Sequence, residues 1–76
     1  MDPRLRSRLM DAGAAARRAG ASWNENPGYR AEQHPSRTGE PLDAWHARLD
    51  AWSDGWRIED AIRTTWQPPA RNRTMR

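Results

Sequence analysis

Cysteine is missing from this 76-residue chain, which excludes disulfides and thiolate metal sites. The only histidines are His34 and His46, too few to build a structural zinc site. Asp43, His46 and Asp50 share one helical face, and their spacing reads as a solvated surface with no metal. Phenylalanine is absent as well, and so is lysine: all 13 basic side chains are arginine. No apolar run is long enough to insert in a membrane, and the opening "MDPRLRSRLMDAG" interleaves charges with its few apolar residues. The expectation is a cytoplasmic protein with no membrane partner. A phosphate-cradling glycine loop with its lysine is lacking, and Ser7, Ser22, Ser36 and Ser53 have no histidine partner in a recognised pattern. The chain therefore reads as a non-enzyme without a cofactor. A domain this short buries little surface, so a partner or self-association is the expected support.

What is present is uneven in charge. Residues 1–37 hold seven arginines against four acids, residues 38–66 three against six, and residues 67–76 three arginines and no acid. Basic ends thus flank an acidic middle. Arginine's planar fork suits bidentate phosphate contacts and stacking on bases, a composition that permits nucleic-acid binding.

Two stretches carry a helical period. Asp2 followed by Pro3 is a good helix opening, and Leu5, Leu9, Ala12, Ala16 and Ala19 then recur at steps of four and three. This predicts a helix over about residues 3–19 with a narrow alanine face. Gly13 lies beside that face and Gly20 near its edge as a C-cap, so a second backbone can come close there. Arg4, Arg8, Arg17 and Arg18 are expected away from the seam, on a basic outer face. From Pro41, Leu42, Trp45, Leu49, Trp52 and Trp56 form a heptad-like stripe, predicting a second helix to about residue 65. Ile58, Ile62 and Trp66 follow at steps of four on a different side, before Pro68 and Pro69 end the helix.

Between them, "ASWNENPGYRAEQHPSRTGE" breaks both periods. Asn26-Pro27-Gly28 has the signature of a type II turn with a left-handed glycine, bracketed by Trp23 and Tyr29. So long an irregular connection is unusual in a compact domain and is expected to be either functional or partly mobile. The predicted fold is all-α: a small antiparallel two-helix hairpin with a long irregular connection as one domain (1–66), and a disordered basic C-terminal tail (67–76).

Five tryptophans in so polar a chain raise a question, sharpest in "DAWSDGWR", where Gly55 precedes Trp56. A core alone is more simply built from leucine. Large indoles on the second helix meeting Ala12, Gly13, Ala16 and Gly20 on the first answer it, with Gly55 removing a side chain beside the rings.

Gly13, Gly20 and Pro27, each seven residues apart, then Tyr29 and the run Trp52-Ser53-Asp54-Gly55-Trp56-Arg57, resemble bacterial ribosome modulation factor and its small relatives. That family is similar in having two glycines seven apart on a first helix, a Pro-Tyr turn seven beyond the second, and a W-x-x-G-W-R element in a second helix. The likeness covers about residues 10–60. Here Gly28 separates Pro27 from Tyr29, and the connection before Trp52 is longer. The resemblance implies two helices joined by a linker, binding to small-subunit rRNA near the messenger exit region, and pairing of ribosomes into an inactive dimer.

On that reading the protein is a ribosome hibernation or translation-modulating factor. Arg17, Arg18, Arg30 and Arg57 then supply phosphate contacts, and Tyr29 stacks on an unpaired base. Gly13, Gly20, Pro27, Trp45, Trp52, Gly55 and Trp56 form the structural or partner-binding set. Two alternatives stay open: a small protein-binding inhibitor or adaptor, such as a phage-encoded one acting on a host protein through its tryptophan-lined helix, and a homodimer that uses the same stripe as its seam.

Overall fold

In a computed structural model, which describes residues 1–65, the chain forms α1 (Pro3–Arg18), a single turn α2 (Pro35–Thr38) and α3 (Leu42–Thr65). Three 3-10 turns, Trp23–Glu25, Pro27–Tyr29 and Ala31–Gln33, lie between α1 and α2. The class is all-α, two long helices packed together and joined by a long connection. Trp66 and the expected disordered tail lie outside the described residues.

Local chemistry sets the ends of α1 as its sequence suggests. Asp2 Oδ1 accepts the Arg4 amide hydrogen bond at 3.2 Å, and Pro3 occupies the first turn. At the other end Gly20 has φ +96°, Ala21 N donates to Ala16 O (2.9 Å) and Gly20 N to Arg17 O (3.0 Å). These two bonds form a Schellman closure. Nothing lies within 4 Å of where a Gly20 Cβ would be, so this glycine serves its left-handed backbone and not a close helix approach.

The two long helices run in the same direction, which corrects the antiparallel expectation. Leu5 shares a surface cleft with Ala44 and Ala47, the Gly13 backbone meets Trp52 and Trp56, and Arg17 pairs with Asp60. Contacts advance along both helices together. A parallel pair requires the chain to travel back the length of α1, about 24 Å at 1.5 Å per residue. Residues 19–41 make that return along α3: Ala21 reaches Trp56, Asn26 reaches Leu49, Gly28 reaches Trp45, and Gln33 reaches Arg48.

Packing centres on a glycine contact. A Cβ on Gly13 would collide with the Trp52 carbonyl oxygen, and one on Gly55 with the Met10 carbonyl oxygen, so each helix gives up a side chain to let the other's backbone in. Trp52 (3% exposed), Leu49 and Ala51 are the buried apolar side chains on α3. The seam of α1 is rotated from the expected alanine face: Gly13 is buried at its centre, while Ala12 and Ala19 are exposed. On α3 the stripe holds from Trp45 onward, whereas Leu42 is exposed. The helix continues past Gly55 without ending, and Ile58 and Ile62 are left exposed on its surface.

Candidate interaction surface on the returning connection

Trp45, Trp56, Asn26 and Arg48 hold the connection to α3, Arg48 through Gln33 and Glu40. Trp45 Nε1 donates to the Gly28 carbonyl and Trp56 Nε1 to the Ala21 carbonyl, both at 2.9 Å. Asn26, only 4% exposed, donates from Nδ2 to Leu49 O and accepts the Gly28 amide on Oδ1, each at 3.0 Å. Trp45 and Trp56 thus turn their N–H groups to backbone carbonyls of the connection, with the Trp45 ring 5.1 Å from that of His34 and the Trp56 ring centroid 5.7 Å from the Arg17 guanidinium.

Asn26-Pro27-Gly28 does not form the expected type II turn. Pro27–Tyr29 is a 3-10 turn, and Gly28 has no positive φ. Glycine there leaves room for the Leu49 side chain, whose Cδ2 lies 2.5 Å from where a Cβ would be and would have to move aside for one. Upstream, Ser22 and Glu25 form a capping box around the first 3-10 turn, with Ser22 N donating to Glu25 Oε2 at 2.8 Å. The backbone hydrogen bond from Ser22, reinforced by its hydroxyl, lowers the Glu25 pKa below the ordinary carboxylate value.

This scaffold leaves two aromatic rings facing water, Trp23 (58% exposed) and Tyr29 (51%). Trp23 lines a shallow cleft with Ser53, Trp56 and Arg57, and Tyr29 lines a second with Asn24, Glu25 and Arg30. The same short chain segment borders both. Arg30 and Arg57 are exposed, and among the described residues neither has a carboxylate within ion-pair distance. Glu59 and Asp60, the near neighbours of Arg57, are taken by other arginines.

Those arginines are Arg17 and Arg18, which corrects their expected position clear of the seam. Arg17 Nε reaches Asp60 Oδ1 at 2.8 Å and its guanidinium lies 5.7 Å from the Trp56 ring centroid, a cation–π arrangement. Arg18 Nη1 reaches Glu59 Oε1 at 3.1 Å, and Arg63 pairs with the same carboxylate. Both side chains clasp the C-terminal ends of α1 and α3. Arg4 and Arg8 stay exposed on α1, as expected of its outer face.

The sequence-derived set therefore divides in two. Gly13, Gly55, Trp52 and Trp56 come together at the helix interface, Trp45 lies against the returning connection, Pro27 is exposed at the turn and Gly20 sits at the helix cap. Tyr29, Arg30 and Arg57 face solvent. Sequence reasoning missed Asn26 as a buried anchor and Trp23 as a surface aromatic. The S-x-x-E capping box was the available signal for the segment that presents Trp23. Among the described residues no helix is long and apolar enough to cross a membrane. No family model, curated protein or solved structure matches this chain.

Proposed function

We propose that this protein binds single-stranded RNA and, through it, the small ribosomal subunit, acting as a translation-modulating or hibernation factor. The observation that carries the reading is the grouping of two exposed rings, Trp23 and Tyr29, and Arg30 on the returning segment with Arg57 on α3, neither arginine having an ion-pair partner among the described residues. Base stacking on aromatic side chains contributes about 1–3 kcal/mol per base, and nearby arginines track the phosphates. The resemblance to ribosome modulation factor in Gly13, Gly20, Pro27, Tyr29 and the W-x-x-G-W-R element supplies the class of RNA. Arg17 and Arg18 have carboxylate partners, so the phosphate contacts fall first to Arg30 and Arg57.

Co-sedimentation with purified small subunits tests the proposal. The wild-type protein is expected to pellet with subunits at low salt, and the Trp23→Ala/Tyr29→Ala variant to remain in the supernatant with its helicity unchanged. If the wild-type protein stays in the supernatant at low salt, the ribosomal reading fails. The exposed Ile58 and Ile62 then favour the second reading, a module that docks on a host protein through α3.

A further inference from the structure

The two exposed rings of the returning connection are held at a set interval. Trp56 Nε1 anchors the chain at the Ala21 carbonyl, Asn26 ties it to Leu49 O, and Trp45 Nε1 anchors it again at the Gly28 carbonyl. On α3, Trp45 and Trp56 are separated by about 16 Å of helix at 1.5 Å per residue. Trp23 follows the first anchor by two residues and shares its cleft with Ser53, Trp56 and Arg57. Tyr29 directly follows the last anchor, and its cleft is lined by Asn24, Glu25, Asn26 and Arg30. Among the described residues none lines both clefts. Measured along α3, the rings therefore stand roughly 10–16 Å apart.

A stacked nucleic-acid strand rises about 3.4 Å per nucleotide, so this interval corresponds to about three to five steps. Neighbouring bases of one strand cannot reach both rings. We infer that the surface takes two non-adjacent bases of a single unpaired RNA strand, one on Trp23 and one on Tyr29, with the nucleotides between them spanning the gap unheld; this rests on the RNA-binding reading above. The charges divide in the same way. Arg57 borders Trp23 and Arg30 borders Tyr29, so each ring has its own guanidinium for a phosphate. Glu25 is exposed and lies between the rings in the chain, where its carboxylate repels a phosphate. Phosphate contacts are thereby confined to the two ends of the track. The ligand that fits is an unpaired loop or tail several nucleotides long. A duplex keeps its bases inside, and a single flipped-out base fills one ring only. Once a strand reaches both rings the second contact becomes intramolecular, so two weak stacking contacts act as one stronger one.

The test is competition against a labelled uridine octanucleotide at low salt, using two RNA hexanucleotides of equal length and charge. Each carries two uracils and is abasic elsewhere, with the bases at positions one and five in the first and at positions three and four in the second. The separated pair is expected to bind the wild-type protein about tenfold more tightly, the contribution of one added stacking contact. Trp23→Ala and Tyr29→Ala, both at exposed positions, should each erase that preference, because the one remaining ring serves either arrangement equally. Equal binding of the two hexanucleotides by the wild-type protein overturns the two-ring track and leaves the RNA-binding reading in place. A preference that survives both ring substitutions overturns it too. Failure of the octanucleotide itself to bind refutes both.

Discussion

Gly13 and Gly55 occupy one helix crossing from opposite sides, each pressed against a backbone carbonyl of the other helix, Trp52 for Gly13 and Met10 for Gly55. In an exposed helix interior, glycine to alanine stabilises by about 1 kcal/mol. Here the sign reverses, because backbone atoms cannot swing aside as a flexible side chain does. Gly13→Ala and Gly55→Ala are each expected to destabilise by about 1–3 kcal/mol, read as a lower urea midpoint at unchanged slope. Gly20→Ala should cost about 1–2 kcal/mol for a different reason, its φ of +96°.

Asn26 holds the connection on α3. Asn26→Asp removes the donor to Leu49 O and sets a carboxylate against that carbonyl, with an expected loss of about 1–3 kcal/mol. Hydrogen exchange of the Gly28 and Tyr29 amides should accelerate ahead of that of the α1 and α3 amides. Trp45→Phe and Trp56→Phe each delete one indole donor and should cost about 1 kcal/mol.

The Arg17–Asp60 pair has side chains 25% and 35% exposed, so solvent screens it. A double-mutant cycle with Arg17→Ala and Asp60→Ala should return a coupling of about 0.2–1 kcal/mol that shrinks with added salt. Arg57→Ala, with no such partner among the described residues, should leave stability within about 0.5 kcal/mol of wild type.

Glu25 gives the connection a pH dependence. Its folded pKa is lowered by the Ser22 hydrogen bonds, so its contribution is fully present above the unfolded carboxylate value and is lost as pH falls through the lower folded one. The first 3-10 turn should loosen in that acidic window, reported by an amide probe at Trp23. Glu25→Gln should flatten the response.

Both long helices were legible because Asp2-Pro3 and the α3 tryptophan stripe are strong local signals. The rotation of α1 was not: alanines at helical spacing are nearly indifferent to burial, while Gly13, which marks the true seam, reads alone as a helix defect. Apolar periodicity carries no direction, so the parallel arrangement had to come from elsewhere. Two hints lay in the chain, a connection long enough to cross back and a similar sequence offset linking Gly13 to Gly55 and the Arg17-Arg18 pair to Glu59-Asp60. Asn26 looked like any turn asparagine, because burial of a turn residue depends on which surface the turn meets.

The salt dependence of single-stranded RNA binding tests the exposed Trp23, Tyr29, Arg30 and Arg57 surface most directly. For single strands, log K falls with log salt by about 0.7 per phosphate contact. If Arg30 and Arg57 each hold a phosphate, the Arg30→Ala/Arg57→Ala protein should bind more weakly, with a slope shallower by about 1.4 and circular dichroism unchanged. An unchanged slope in the folded variant, or wild-type affinity indifferent to salt, would contradict the assignment.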